Sequence, residues 1–100
     1  MARTRLELHN LFKSFADNVY FQPPSSTKMQ YPAIVYNLNR IQKYHADNDP
    51  YLKFNQYNVT VIDRDPESPL AKMVDDLRMC SFDRSFTSDN LNHFVYTLYF

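Results

Sequence analysis

Two strand-like runs between Pro32 and Asp65 constrain this chain more than any other stretch. They read PAIVYNLNRIQKYHADNDPYLKFNQYNVTVIDRD, with the turn-rich tip His45-Ala46-Asp47-Asn48-Asp49-Pro50 between them. A turn centred on Asp47-Asn48 sets Leu38 opposite Tyr57, Tyr36 opposite Val59 and Ile34 opposite Val61. All six are apolar or aromatic and fall on one side of the ribbon, and a slip of one residue would set Val59 against Asn37 and break that side. The other side carries Val35, Asn37 and Asn39 against Asn58, Thr60 and Ile62, a mixed and partly wet surface.

Nearer the tip the apolar residues change sides. The same register pairs Ile41 with Phe54 and Lys43 with Leu52, so Ile41, Leu52 and Phe54 share the opposite face. Either a bulge or strong twist re-aims them inward, or the outer hairpin leaves its own core and meets a neighbouring molecule. Tyr44 and Tyr51 flank the tip and suit the rim of such an interface.

The chain has 100 residues, enough for one domain over 1–100. A domain of this size buries something over ~60% of its unfolded surface and folds alone with little margin. Eight Tyr and eight Phe supply large apolar side chains suited to strands and interfaces. There is no Gly, so left-handed backbone positions are expected at Asn and Asp. That absence also rules out phosphate-cradling loops of the Walker or dinucleotide type.

Eleven basic and eleven acidic side chains balance. No basic footprint of a nucleic-acid binder is present, whereas a near-neutral, aromatic-rich surface favours self-association. Cys80 is the single cysteine, so neither an intrachain disulfide nor a Cys-based zinc site can be built from it. The N-terminus lacks an apolar signal core, and no apolar run approaches the ~20 residues of a membrane span. The expectation is a soluble protein made and assembled inside a cell, without a membrane partner.

Residues 4–16 read as a helix. Leu8, Leu11, Phe12 and Phe15 share a face, Thr4 and Glu7 have capping-box spacing, and Asp17-Asn18 is the expected stop. Val19-Tyr20-Phe21 is a short strand that Pro23-Pro24 confines to an edge. After the hairpin, Ser68 is the expected N-cap and Pro69 the first residue of a helix over 69–78, with Leu70, Met73, Val74 and Leu77 inward. A weak strand runs from Met79 to Ser85, a turn falls at Ser88-Asp89-Asn90, and Leu91–Phe100 forms a last strand. In that strand Phe94, Tyr96, Leu98 and Phe100 take one face, and His93, Val95, Thr97 and Tyr99 the other. The order is α-β-β-β-α-β-β, an α+β layer of mainly antiparallel sheet with both helices on one face. The uncovered face, at Val95 and Tyr99, then needs a partner molecule or is an exposed patch.

Chemistry is sparse. His9, His45 and His93 lack ligand spacing. Asp63-Arg64-Asp65, with Glu67 and Lys72 nearby, allows one sharp alternative, a divalent-metal nuclease site, against the plainer reading of a strand end leading into a helix. Cys80 reads as a small apolar residue. Asn58-Val59-Thr60 matches a glycosylation acceptor but sits inside a strand. No cofactor is expected, and no catalytic residue.

A resemblance adds to this. The phrases Asn18-Val19-Tyr20-Phe21-Gln22-Pro23-Pro24, Met29-Gln30-Tyr31-Pro32-Ala33-Ile34-Val35-Tyr36, Tyr57-Asn58-Val59-Thr60-Val61-Ile62-Asp63-Arg64-Asp65-Pro66 and Cys80-Ser81-Phe82-Asp83-Arg84, with the ending Asp89 to Phe100, are similar to the small tail-completion proteins of tailed bacteriophages. The likeness runs from residue 5 to 100. It implies the tail-terminator fold and a virion protein, assembled in the host cytoplasm, that forms a ring, typically hexameric. The ring ends polymerisation of the tail tube and offers a docking surface to the head connector. Implied partners are copies of itself, the tube protein and the connector protein, with no sequence-specific nucleic-acid binding. A head-completion or connector role in the same neck is the neighbouring alternative, and a homodimeric binding module a further one. Candidate interface residues are Ile41, Tyr44, Tyr51, Leu52, Phe54, Val95 and Tyr99.

Overall fold

The computed structural model describes residues 4–44 and 52–100, with residues 42–44 and 52–54 described in backbone only. Helix α1 (Arg5–Phe15) leads into strand β1 (Val19–Phe21), then β2 (Ala33–Tyr44) and β3 (Leu52–Asp63), helix α2 (Pro69–Asp75), β4 (Cys80–Ser88) and β5 (Leu91–Tyr99). The five strands form one sheet in the order β1-β2-β3-β5-β4. Three pairings are antiparallel; β1 runs parallel to β2, which makes the sheet mixed. The α+β order expected from the sequence is the one observed, and the proline-terminated β1 lies at an edge.

Local chemistry places each element. Thr4 accepts the Glu7 N–H at 3.2 Å and starts α1. Leu8 and Phe12 are fully buried on its inner face, with Leu11 and Phe15 packed alongside. The expected left-handed stop at Asp17-Asn18 does not occur: Ala16 ends the helix in extended conformation, and its N–H still bonds Phe12 O at 3.0 Å. Asn18 works across the layer instead, donating its side-chain amide to Pro32 O and accepting from Ile34 N–H.

Helix α2 is shorter than expected, ending at Asp75 rather than 78. Ser68 caps it by accepting Ala71 N–H at 3.2 Å. Leu70 and Val74 are buried as expected, but Ala71 takes the third inward position while Met73 is exposed. The Tyr96 hydroxyl donates to Ala71 O at 3.1 Å, tying α2 to the sheet.

Asp89 (φ 53°) and Asn90 (φ 62°) form the two-residue β4–β5 turn, in the left-handed conformation that Asn and Asp tolerate. The expectation that only Asn and Asp would adopt it fails twice. Met79 (φ 65°) follows α2 and accepts Tyr99 N–H at 3.1 Å. Gln22 (φ 45°) ends β1 while its side-chain oxygen accepts Leu38 N–H at 3.1 Å. Both are residues whose side chains bring a steric cost at positive φ, and in each the backbone position serves a cross-element hydrogen bond.

The core lies between the helices and one face of the sheet. Ile34, Tyr36, Val59, Val61 and Leu98 line it, all 1% exposed or less. Tyr36 is its hub, with ring centroids of Phe21 at 4.9 Å, Phe12 at 5.2 Å and Tyr57 at 5.9 Å. Its hydroxyl meets His9 Nδ1 at 2.7 Å and accepts from Arg5 Nη1 at 3.4 Å. Among the described residues, no buried side-chain nitrogen or oxygen lacks a hydrogen-bond partner.

Candidate functional site

The hairpin register up to Leu38 is the expected one: Ile34↔Val61, Tyr36↔Val59 and Leu38↔Tyr57. Between Leu38 and Arg40 the strands slip by one residue, and Asn39 is the extra residue. The expected Ile41–Phe54 and Lys43–Leu52 pairs therefore do not form. Ile41 stands opposite Asn55, Gln42 opposite Phe54 and Tyr44 opposite Leu52. The slip puts Ile41 on the sheet side of Leu38 and Tyr57 and separates it from Leu52 and Phe54.

This side is the helix side, yet the helices do not reach so far. Leu38 is 39% exposed and Ile41 50%. Strand β5 pairs with β3 only from Gln56 onward, with a last bond from Phe100 N–H to Asn55 O. Strand β1 pairs with β2 at Ile34–Tyr36 and is continued by the Gln22 contacts to Tyr36 and Leu38. Beyond these, the described part of the hairpin is a two-stranded arm. The radius of gyration, 14.6 Å, exceeds the ~13 Å of a compact 100-residue domain. Two strands alone are marginal in water, so an arm of this kind benefits from a partner. Tyr51 and His45 lie outside the described residues, and Tyr44, Leu52 and Phe54 are described in backbone only.

The helix-free face is the second expected surface, and it is more polar than expected. Val95 and Tyr99 are half-buried there. Val95 shares a shallow depression of about 370 Å³ with Asn37, Asn58, Thr60, Asp83, Arg84 and Phe86. Gln56 donates to the Tyr99 hydroxyl at 2.7 Å and accepts from the Asn39 amide. Thr97 donates to Asp83 at 2.7 Å. His93 stacks on Phe86 with centroids 4.6 Å apart and planes within 9°. Phe86 stays 44% exposed here, while Val95 and Tyr99 sit among polar neighbours, so the face is mixed and no continuous apolar patch. Asn58 of the glycosylation-like triplet sits in this face within β3.

Sequence reading missed a third surface. Strand β4 is an edge strand, and Phe82 and Phe86 on it are 52% and 44% exposed. A slip between Phe82 and Arg84 makes Asp83 the extra residue. Phe82 pairs with Tyr96 on the helix side, while Phe86 pairs with His93 on the other. Between β4 and α2 runs a groove of about 790 Å³. Its apolar wall is Phe82, Phe94, Tyr96 and Ala71; its polar lining includes Glu67, Lys72, Asp75 and Asp76. The signal available in sequence was Phe82 itself, but the bulge that turns it away from Phe86 is not legible there.

The candidate metal cluster resolves into turn and cap chemistry. Asp63 ends β3 and is 8% exposed. One of its oxygens accepts the Ser68 hydroxyl at 2.6 Å, the other Asp65 N–H at 3.1 Å, and Asp65 accepts Glu67 N–H at 2.9 Å. Asp65 is outside the strand, so the two carboxylates do not share a strand face. Among the described residues no group of three His, Cys, Asp or Glu side chains is placed to hold a metal ion. Burial, with Asp75 and Asp83 nearby, pushes the Cys80 thiol up to about 11, which keeps it protonated and a poor nucleophile at neutral pH. Burial and the Arg5 and Lys13 charges hold the His9 pKa below its usual value, in keeping with a neutral ring beside Tyr36. No described helix is long and apolar enough to cross a membrane. No family model, curated protein or solved structure matches this chain.

Proposed function

We propose that this chain is a structural virion protein of a tailed bacteriophage, a tail terminator whose copies form a ring on the end of the tail tube. The ring, typically hexameric in the family the chain resembles, stops addition of tube subunits and presents a docking surface to the head connector. Its action is geometric: it matches the tube on one side and lacks a surface for the next tube layer on the other. The reading asks for no cofactor.

Support comes from the family-like phrases across residues 5–100 and from one structural observation above all. The arm of β2 and β3 extends past β1 and β5 with Ile41 half-exposed, where no further strand among the described residues pairs with it. A ring uses heterologous contacts, one patch against a different patch on the next copy. An arm at one end of the sheet and an exposed strand edge at the other are patches of that kind.

The test is to mix purified protein with isolated tail tubes and with tube subunits, and to view them by negative stain. A terminator gives rings at one tube end and arrests elongation. Unbound tubes of unchanged length would overturn this reading, and binding to filled heads alone would assign the chain to the connector.

A further inference from the structure

We propose that the outer edge of β4 pairs with the β4 edge of a second copy, antiparallel and about a two-fold axis, and so joins two rings edge to edge. That the pairing joins rings rests on the ring reading; the strand contact rests on β4 alone.

Among the described residues, no strand pairs with the outer side of β4. The two ends of the strand decide which backbone groups point outward. The two-residue turn at Asp89-Asn90 closes on Ser88 and Leu91, so Ser88, Phe86 and Arg84 turn their N–H and C=O toward β5, while Thr87 and Ser85 turn theirs away. At the other end Met79 O accepts Tyr99 N–H, so Met79 and Ser81 face β5, while Cys80 and Phe82 face out. The extra residue Asp83 separates the two halves. Outward groups therefore stand at Cys80, Phe82, Ser85 and Thr87, spaced by two, three and two residues.

A straight strand offers its groups at every second residue and falls out of step with this edge at the bulge, which is how bulges guard edges. A second β4 stays in step, because the spacing reads the same in both directions. Antiparallel copies pair Cys80 with Thr87 and Phe82 with Ser85, each twice, with bulge opposite bulge. The bulge thus selects a copy of this chain over other strands.

The side chains agree with this register. Cys80, Phe82, Ser85 and Thr87 pair with Leu98, Tyr96, Phe94 and Asn92 on β5 and lie on the helix side, so helix side meets helix side. Asp83, which bonds Thr97, and Arg84, which pairs with Val95, lie on the helix-free side and are exposed. The same register sets Asp83 of each copy opposite Arg84 of the other, and these two are the charged residues of β4. The acids of the α2–β4 groove, Glu67, Asp75 and Asp76, stand on the helix side with Lys72. The strand residues on that side bring no charge to meet them.

The arm prolongs β2 and β3 along their length, whereas the β4 edge faces across the strands, so one copy can use both. A nine-residue edge is a small contact that single copies hold weakly. A ring presents one such edge per copy at once and multiplies it.

Sedimentation velocity and disulfide trapping test the pairing. Ser85→Pro removes an outward N–H without touching a bond to β5, and should halve the mass of the assembly. Asp83→Arg and Arg84→Asp each set like charges opposite each other and should also halve it, and mixing these two proteins should restore the full mass. In a Cys80→Ala background, Ser81→Cys mixed with Phe86→Cys should cross-link on oxidation, and neither alone. With both cysteines in one chain, cross-linking should stop at a dimer rather than run up a ladder. Circular dichroism and Tm establish that each variant is folded. A ring whose mass none of these variants changes, and which does not cross-link, overturns the pairing and leaves the ring with a free edge. Cross-linked dimers without a ring uphold the strand contact and overturn both its place between rings and the ring reading. A monomer at every concentration, without cross-links, overturns all three.

Discussion

The Asn39 side-chain amide donates to the Gln56 side-chain oxygen across the one place where β2 slips against β3. Gln56 is 8% exposed and passes the chain of bonds on to the Tyr99 hydroxyl. A buried amide with both ends satisfied fixes the bulge, and the bulge decides which side of the sheet Ile41 takes.

Gln56→Leu should therefore cost about 1–3 kcal/mol, the penalty for leaving polar partners unpaired on a half-buried face. Urea unfolding measures it. Amide exchange should also quicken from Leu38 to Ile41, since the bulge loses its anchor there.

Deleting Asn39 removes the extra residue. Arg40 then follows Leu38 directly and keeps Gln56 as its partner, and Ile41 keeps Asn55, so the strands pair without a bulge and Ile41 stays on the side of Leu38. The core pairs from Ile34 to Leu38 are untouched, so the domain should still fold and keep its association. Sedimentation velocity separates that outcome from unfolding.

The carboxylates near α2 give a different prediction. Asp63 accepts from Ser68 in a buried contact, and Ser68 caps the helix. Ser68→Ala should destabilise the fold by about 1–2 kcal/mol through the lost cap. Magnesium or EDTA should leave Tm unchanged, because these oxygens are engaged by the chain itself. A metal-dependent rise in Tm, abolished by Asp63→Asn, would revive the nuclease alternative.

Alkali should act through Cys80 and Tyr96, held protonated by burial and neighbouring acids, the thiol at about 11 and the phenol at about 12. Both folded values exceed the unfolded ones, so the unfolded chain ionises first and stability is lost as pH rises, from about 9 for the thiol and about 10 for the phenol. The Cys80 thiol should resist alkylation at pH 8 in the folded state and react on unfolding. In acid, the depressed His9 pKa works the other way: its contribution is present above about pH 6.5 and fades as pH falls through the folded value.

Much of the fold was legible because its signals are local. The Thr4 and Ser68 caps, the edge position of a strand followed by two prolines, and the Asp89-Asn90 turn each follow from one or two residues. The hairpin register held as far as pairing is dictated by a buried face, through Leu38. It failed at Asn39, an exposed position where no buried apolar side chain of β2 enforces the register and a side chain far along the sequence, on Gln56, decides the outcome. The candidate site divides the same way. Ile41 could be suspected from its pattern, but Val95 and Tyr99 depend on cross-strand hydrogen bonds for their cover. The exposure of Phe82 depends on a second bulge and on α2 ending at Asp75. Such features arise from how elements meet, which no single stretch encodes.

The central claim is that copies of this chain cover what one copy leaves exposed, and mass determination in solution tests it most directly. Sedimentation velocity of the purified protein from 1 to 300 µM should give a ring of defined stoichiometry that Leu38→Asp with Ile41→Asp, two exposed residues on one side of the arm, reduces to a folded monomer. A 12.0 kDa species across that whole range, before any substitution is made, would contradict the account.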